Sequence, residues 1–391
     1  MKFLHMSDLH LGRKIRNFSF IEDQRHILEE ICKVIEEEDP DGVIIAGDIY
    51  HTGVPPTDAI DLFDTFLEWL YRHGQKVFII SGNHDTLERM AVGRSVMAAG
   101  NIHISKAYNG VIEPIPMEDE YGPLYVYLLP FFKPGQVSDF YKEEVEALEK
   151  GDAEGNTQSN AYRVAVEKMH IDPSVRNVLV AHLSVTGANH LESEEQGNSI
   201  GGEENVDASV FEGFDFVALG HLHTYQSIGT PRIHYSGSPL KYSFDKTKCR
   251  RGVSVIELGE KGHLPTVRPV YCEPLRDMAE LKGTYLELTD RSFYEGTNYE
   301  TDYVSIVLTD EEDVPDAQAK LQIIYKRLVE LRYDNKRTRN MPEMNLSNEQ
   351  EHKNPMEVFA EFYKKMNGKE MDEKRTAIIS ELIKEIWEAN E

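Results

Sequence analysis

The sequence predicts an α/β protein in which buried strands alternate with amphipathic helices. Short runs rich in Val and Ile, at 43–46, 76–80 and 177–181, are typical of strands that are buried on both faces. Between them, residues about 20–38 and 57–73 carry apolar side chains at helical spacing. Polar residues follow the strands directly. In open α/β folds such residues lie at the carboxyl edge of the sheet, where binding sites form.

Size and composition limit the classes of protein to which the chain can belong. At 391 residues it is long enough for roughly two or three domains with a sizeable core. No run of about 18 apolar residues is present, so we expect no membrane-spanning helix, and the N-terminus lacks the layout of a signal peptide. The three cysteines lie far apart, which favours a reducing cytoplasm over a disulfide framework or a zinc knuckle. The net charge of −26 argues against nonspecific binding of a polyanion over the whole surface.

The first 272 residues show one apolar run after another, each followed by a helix or a loop. The predicted strands are Lys2–Met6, 43–46, 76–80, 124–129, 177–181, 214–219, 233–235 and 252–258. The predicted helices are about 20–38, 57–73, a shorter stretch within 86–100, and a charged stretch from about 138 to 170 that a loop interrupts. We therefore expect residues 1–272 to form one domain.

A change of composition after residue 272 separates a second region. Residues 273–339 predict a small α/β cap. Its predicted elements are strands at Thr284–Leu288 and Tyr303–Leu308 and a helix at Asp316–Tyr325. The polar segment 340–353 is typical of a linker. Residues 354–391 predict a hairpin of two amphipathic helices, which either docks another protein or folds back on the cap.

Five of the predicted strands end in residues that can bind metal ions. These strand ends carry Asp8 and His10, Asp48, Asn83 and His84, His182, and His221 and His223. Carboxylates and neutral imidazoles suit Mn, Fe or Zn, and one shared Asp can bridge two ions about 3.5–4 Å apart for phosphoryl chemistry. A lone Asp or Asn after a strand is more often a turn former or a helix cap. All five strand ends together predict a two-metal centre.

The same residues resemble the signature of the calcineurin-like metallophosphoesterases, which reads D-x-H, G-D, G-N-H-D, H and G-H-x-H in chain order. Within that superfamily the chain is similar, over nearly its whole length, to the SbcD family of Mre-type nucleases. The finer markers are the segments 8–12, 47–56 and 236–244. The resemblance implies two packed sheets flanked by helices, an α+β sandwich, followed by the cap and the helical hairpin.

The family pattern implies a role for each residue of the site. Two divalent ions, with manganese preferred, would be held by two ligand sets that share Asp48. One set is Asp8, His10, Asp48 and His223, and the other is Asp48, Asn83, His182 and His221. His84 would stabilise the developing charge or protonate the leaving oxygen, with Asp85 orienting its ring. The candidate substrate-binding residues are His51, Ser236, Ser238 and Lys241.

The resemblance also implies a substrate and partners. Family members are DNA nucleases with 3′–5′ double-strand exonuclease activity and single-strand and hairpin endonuclease activity. They act with the ATPase SbcC in DNA repair, recombination and replication. Residues 354–391 would dock on the coiled coil of SbcC, and the cap 273–339 would contact DNA. Helices 57–73 and 86–100 would form a homodimer.

Other functions use the same kind of centre. A phosphatase or a cyclic-nucleotide phosphodiesterase would share the metal ligands but would not need the cap or the hairpin. An adapter with an inactive site is disfavoured because no ligand position is substituted. Basic clusters at 13–16 and 241–251 are either phosphate contacts or ordinary exposed loops, and a partner protein could supply further positive surface.

Overall fold

The chain folds as two compact units, Met1–Ala279 and Glu280–Glu391. The computed structural model describes residues 1–86, 93–151, 157–189, 205–244 and 249–339, and single positions between 356 and 383. The predicted linker, most of the predicted C-terminal hairpin and residues 87–92 of the predicted dimer helix lie outside the described residues.

The division between the units lies after Ala279, whereas the change of composition lies after residue 272. Ion pairs account for this difference. Arg276 Nη1 lies 2.9 Å from Asp23 Oδ2, and Lys241 Nζ lies 2.7 Å from Asp277 Oδ1. Both pairs hold the segment that follows residue 272 to the first unit.

The first unit contains two six-stranded sheets and a two-stranded ribbon. Its strands are β1 (Lys2–Met6), β2 (Lys14–Ile15), β3 (Phe18–Ser19), β4 (Gly42–Ala46), β5 (Val77–Ile80), β6 (Ile102–Ile104), β7 (Ile115–Asp119), β8 (Gly122–Leu128), β9 (Arg176–His182), β10 (Phe216–Gly220), β11 (Gln226–Ser227), β12 (Ile233–Tyr235), β13 (Gly252–Glu257) and β14 (Thr266–Tyr271). Its helices are α1 (Ile21–Glu38), α2 (Thr57–Arg72), α3 (Arg94–Ala99), α4 (Pro134–Gly151) and α5 (Thr157–Glu167).

Parallel pairing brings the carboxyl ends of the central strands to one edge of each sheet. The first sheet has the order β14-β13-β1-β4-β5-β6, and the second has the order β11-β12-β10-β9-β8-β7. The parallel strands are β1, β4, β5 and β6 in the first sheet and β8, β9, β10 and β12 in the second. Strands β4, β5 and β9 are buried along their whole length, as their Val-rich and Ile-rich sequences predict.

The two sheets pack face to face across a shared core. This core joins Phe3, Ile44 and Phe78 of the first sheet to Val126, Val178 and Phe216 of the second. A second core joins the outer face of the second sheet to helices α4 and α5. The predicted α/β architecture of two packed sheets flanked by helices is therefore confirmed.

The second unit contains a three-stranded sheet with the order β15-β16-β17. Its elements are β15 (Met278–Gly283), α6 (Tyr285–Thr289), α7 (Arg291–Tyr294), β16 (Tyr303–Leu308), α8 (Ala317–Ile324), β17 (Arg327–Tyr333) and α9 (Lys336–Arg339). The predicted strand at Thr284–Leu288 is wrong, because these residues begin a helix. Thr284 and Glu287 form a capping box at its start, and this local bonding outweighs the strand preference of the segment. The helices of the described residues are all too short or too polar to cross a membrane.

Candidate metal centre

The predicted metal ligands meet where the carboxyl ends of the two sheets face each other. The first sheet contributes Asp8, His10, Asp48 and Asn83, and the second contributes His182, His221 and His223. A hydrogen bond joins the two groups, since His182 Nδ1 lies 2.8 Å from the carbonyl oxygen of Ala46. The structure thus brings every predicted ligand into one continuous cluster.

The backbone turns sharply as it leaves the strands. The φ angles are 54° at Asp8, 44° at His10, 50° at Asp48 and 98° at His221. Residues other than glycine rarely adopt positive φ, and such conformations collect at functional sites. Backbone hydrogen bonds fix two of these turns, because His10 N–H donates to the Asp48 carbonyl at 2.9 Å and Asp8 N–H donates to the Gly47 carbonyl at 3.1 Å.

Glycine precedes several of the ligands because the strand ends approach each other closely. A Cβ atom on Gly82 would lie 2.1 Å from Asp48 Oδ1, and a Cβ atom on Gly220 would lie 1.9 Å from the Ala46 carbonyl oxygen. No side chain fits at either position. The Gly-Asn and Gly-His pairs of the sequence therefore reflect the packing that brings the ligands together.

One group of ligands surrounds a point between Asp8, His10 and His223. The Nε2 atoms of His10 and His223 are 2.9 Å apart, and His223 Nε2 lies 4.0 Å from Asp8 Oδ1. Asp8 is held from behind, since its Oδ2 accepts from Ser7 Oγ at 2.5 Å. Two imidazole nitrogens and a carboxylate that converge in this way fit a divalent cation.

A second group surrounds His182 and Asn83. His182 Nδ1 donates to the Ala46 carbonyl, so its Nε2 points into the site. That Nε2 lies 3.0 Å from Asn83 Oδ1 and 3.5 Å from Asp48 Oδ1. His221 Nδ1 lies 3.3 Å from the same Asn83 oxygen. Acceptor atoms that face one another require a cation or a proton between them, and this arrangement also fits a metal ion.

Asp48 lies between the two groups. Its Oδ2 is 3.6 Å from His10 Nε2, and its Oδ1 is 3.5 Å from His182 Nε2. Its side chain is almost fully buried. A carboxylate with one oxygen directed at each group has the position that a ligand shared by two ions requires.

The electrostatics of the cluster favour a positive charge. Burial raises the pKa of Asp8 to about 6 and lowers the pKa values of His10 and His223 well below their usual range. Burial alone would raise the pKa of Asp48, but neighbouring histidines, His182 first, hold it well below its usual value. Burial would lower the pKa of His182, but Asp48 raises it to about 9. The protein therefore holds a cationic imidazole where a metal ion would satisfy the same carboxylate.

His84 lies at the mouth of the cluster, and its ring is oriented by a different partner from the one predicted. His84 Nδ1 lies 2.9 Å from the His51 carbonyl oxygen, and its Nε2 lies 3.9 Å from Asp48 Oδ2. The family pattern predicts that Asp85 orients this ring, and that prediction is wrong. The Asp85 carboxylate accepts instead from the backbone N–H groups of Gly82, Ile49 and Tyr50 at 2.9, 3.2 and 2.9 Å. Asp85 thus stabilises the loop that carries His84 and not the ring itself.

His51 lies directly beside this mouth. Its ring stacks on that of His84, with centroids 5.7 Å apart and planes 15° apart. Its Nδ1 is buried and has no hydrogen-bond partner among the described residues. Burial lowers the pKa of His51 to about 4, so the ring is neutral at pH 7. His51 therefore packs as a neutral ring against His84 at the mouth of the cluster.

Comparisons with known proteins agree with this geometry. A family model described as calcineurin-like phosphoesterase matches residues 1–225, which are more than half of the chain. The SbcD subunit of the nuclease SbcCD from Staphylococcus epidermidis is 31% identical over 334 residues, which are 85% of this chain and 85% of that protein. The protein of the same name from Staphylococcus saprophyticus is 32% identical over 85% of this chain and 84% of that protein.

The chain belongs to the SbcD family of calcineurin-like phosphoesterases. The family assignment extends into the second unit, because a model described as the type 5 capsule protein repressor C-terminal domain matches residues 274–367. Among solved structures, a dimetal phosphatase from Danio rerio covers 70% of this chain and 99% of its own, at 11% identity and a TM-score of 0.37. That likeness is too weak to carry an argument.

In this SbcD-family chain, the loop that follows β12 holds the centre in place. Ser236 Oγ lies 3.0 Å from Ser7 Oγ, which bonds to Asp8, and Ser238 Oγ donates to the Leu240 carbonyl at 2.7 Å. Lys241 is paired with Asp277. These contacts differ from the predicted substrate contacts of Ser236, Ser238 and Lys241. All three side chains bond within the protein and position the loop.

The sequence pattern did not indicate the residues that fix the His10 segment. Gln24 Nε2 donates to the His10 carbonyl at 2.7 Å, and Gln24 Oε1 accepts from Gly12 N–H at 2.9 Å. Tyr242 also contacts this amide, since Gln24 Nε2 lies 3.1 Å from its hydroxyl. The available signal was Gln24 itself, a polar residue at helical spacing between Phe20 and Ile27 on the buried face of α1.

Proposed function

We propose that this chain is a metal-dependent DNA nuclease that acts as the SbcD-type subunit of a complex with an SbcC ATPase. The position of Asp48 is the main support, because its two oxygens face two separate groups of metal-binding atoms. Its curated relatives are named as subunits of the SbcCD nuclease and match 85% of its length. A small-molecule phosphatase would share the centre but would not explain the matched second unit.

Two divalent ions, preferably manganese, would occupy the centre. One would be held by Asp8, His10, Asp48 and His223, and the other by Asp48, Asn83, His182 and His221. When bound, such ions supply Lewis-acid activation of the nucleophile and neutralise the charge of the phosphodiester. The protein supplies the ligands in fixed orientations, because His182 is held by Ala46 and Asp8 is held by Ser7.

His84 would donate a proton or a hydrogen bond to the leaving oxygen. Its Nδ1–H is committed to the His51 carbonyl, so the proton that is donated must be carried on Nε2, which lies on the open side of the cluster. The side chain is 40% exposed, so a substrate can reach it. A general acid must lie within hydrogen-bond reach of the leaving group, and His84 is the imidazole best placed for this.

The remaining parts of the proposal concern partners and location. Residues 354–391 would dock on SbcC, and the cap would contact DNA. Two copies of the chain would associate through residues 57–73 and 86–100, where Val96 and Tyr71 are exposed. The complex would work in the cytoplasm, near the nucleoid, in DNA repair and hairpin removal. Its exonuclease polarity would be 3′–5′.

Cleavage of DNA with and without the partner tests this function. In Mn²⁺, the purified chain with SbcC and ATP should degrade linear duplex DNA and open a DNA hairpin, and EDTA should stop both reactions. If no DNA is cleaved under any of these conditions, the nuclease proposal is wrong.

The variant His84→Ala separates catalysis from metal binding. We expect cleavage to fall by about 10²–10⁴-fold, the usual contribution of a general acid, while the metal content of the protein stays unchanged. The matched variant His103→Ala removes a histidine of β6 and should leave cleavage unaffected. Loss of bound metal in His84→Ala would show that His84 is a ligand.

A further inference from the structure

A cavity of about 230 Å³ is lined by Thr224 and Tyr225, the two residues that directly follow the predicted ligand His223. Its walls include Tyr225, Tyr271, Arg250, Arg251 and Gly252, all within the first unit. None of these residues takes part in the proposed metal binding. The cavity therefore needs a separate explanation.

The ring of Tyr225 forms one wall and is held rigidly. It packs at right angles to the buried His234, with centroids 4.7 Å apart. His234 is itself fixed between two hydroxyls, since its Nδ1 lies 3.0 Å from Ser227 Oγ and its Nε2 lies 2.9 Å from Ser254 Oγ. Tyr225 remains 37% exposed, so part of its ring faces the cavity and solvent.

The ring of Tyr271 forms another wall. Tyr271 ends strand β14, directly opposite Gly252 of β13, where a Cβ atom would lie 2.0 Å from the Val270 carbonyl oxygen and only glycine fits. The guanidinium carbon of Arg250 lies 4.7 Å from the centroid of the Tyr271 ring, and Arg250 Nη2 lies 2.5 Å from Glu273 Oε1. Tyr225 and Tyr271 both line the cavity. Two aromatic rings and an arginine thus surround one opening.

Arg251 links this cavity to the metal centre. It lines the cavity and donates from Nη1 to the carbonyl oxygen of His223. The backbone N–H of Ser238 donates to the same oxygen at 3.2 Å. The cavity wall and a predicted metal ligand are therefore parts of one rigid segment, residues 223–225, with a single residue between His223 and Tyr225.

We propose that this cavity is a subsite for an unstacked nucleobase of the nucleotide next to the scissile phosphodiester. Aromatic side chains with an adjacent arginine bind bases by stacking, without regard to sequence, because every base has a π face. The inference rests on the proposed nuclease function. It implies that the centre accepts a strand only where a base can leave the helical stack, as it can at a frayed end or in a hairpin loop.

An abasic scan tests the subsite directly. Single-stranded oligonucleotides with one abasic position, moved along the strand, are bound to the full chain in Ca²⁺ at one fixed salt concentration. We expect one abasic position to weaken wild-type binding by about 5- to 150-fold, the loss of one stacked base. Tyr271→Leu should bind the natural oligonucleotide more weakly than the wild type does. In this variant the abasic position should cause no further loss of affinity. Tyr271→Phe should restore the difference.

The control is Tyr121→Leu, because Tyr121 is 46% exposed and Tyr271 is 45% exposed, but Tyr121 lies outside the cavity. This variant should behave as the wild type. Any of three results would overturn the subsite. They are no measurable binding, no abasic position that weakens binding, and an equal loss of affinity at the abasic position in wild type and Tyr271→Leu. Cleavage in Mn²⁺ is measured on the same oligonucleotides. Base-dependent binding without cleavage, even when SbcC and ATP are added, would refute the nuclease function and leave a base-binding cavity standing.

Discussion

Strand β9 has a buried ionisable side chain at each end, Arg176 at its start and His182 at its end. The two side chains have different kinds of hydrogen-bond partners. At its start, Arg176 is 1% exposed and bonds to Asp119, whose side chain is 8% exposed. Each terminal nitrogen of Arg176 donates twice, to the Asp119 carboxylate and to the carbonyl of Gly259 or Gly122. At its end, His182 directs Nε2 at the oxygens of Asn83 and Asp48, where a proton or a metal ion is needed between them.

The difference separates a structural polar cluster from a functional one. At the start of β9 donors face acceptors, so both terminal nitrogens of Arg176 and both oxygens of Asp119 have partners within the protein. The bond to Gly259 also joins the two sheets, because Gly259 follows β13 of the first sheet. At the end of β9 acceptors face acceptors, and several residues there have positive φ. Burial of polar groups is common to both ends. Only the end that lacks internal partners predicts a ligand.

The largest expected effect comes from removing the shared carboxylate. Asp48→Asn should abolish DNA cleavage and the rise in melting temperature that Mn²⁺ gives the wild type, since ligand binding to the folded state alone is stabilising. The metal-free variant should also lose some stability, because Asn removes the charge that pairs with His182, although it keeps an oxygen to accept from the His84 backbone N–H at 3.0 Å. The Mn²⁺-induced rise is therefore measured within each variant. Metal content, melting temperature and cleavage are measured together. Retention of two ions by the variant would contradict the shared position of Asp48.

The apolar pattern was sufficient to predict the strands that carry the site. Strands β4 and β5 are buried throughout, so they leave continuous runs of Val and Ile. Edge strands β7 and β14 were missed because most of their side chains are partly exposed and give no such run. The capped helix after Thr284 was missed because the capping box, rather than the apolar spacing, decides it. Local hydrogen bonds thus account for part of what the pattern did not predict.

The ligand residues were predictable, but their partners were not. The order of strand ends identified His84, yet not that a backbone carbonyl, that of His51, orients its ring. Backbone acceptors have no sequence signature, since every residue supplies one. In the same way Lys241 is basic in sequence but paired with Asp277, which is distant along the chain. Long-range pairing decides whether a charge is available to a substrate.

A smaller effect, on the stability of the fold and not on metal binding, is expected at the start of β9. Arg176→Met should destabilise the protein by at most about 3–5 kcal/mol, because it leaves the buried Asp119 with only the Met1 ammonium as a counter-charge. The folded fraction should still bind metal and cleave DNA. Urea unfolding gives the loss, and metal content checks the site. A loss of metal in the single variant would show that the two ends of β9 are coupled.

The smallest expected effect is a pH dependence of the unfolding free energy, which Asp119 causes at the start of β9. Burial alone would raise the pKa of Asp119, but the hydrogen bonds from Arg176 hold it well below its usual value of 3.8. A carboxyl with a depressed pKa contributes stability that is complete above its unfolded pKa and is lost as the pH falls toward the folded pKa. The difference in unfolding free energy between wild type and Asp119→Asn should therefore be constant near pH 7 and shrink from about pH 5 downward. Metal-free protein is used, so that ion release does not contribute. A difference that stays constant to pH 3, or grows, would mean that Asp119 acts through its shape and not through its charge.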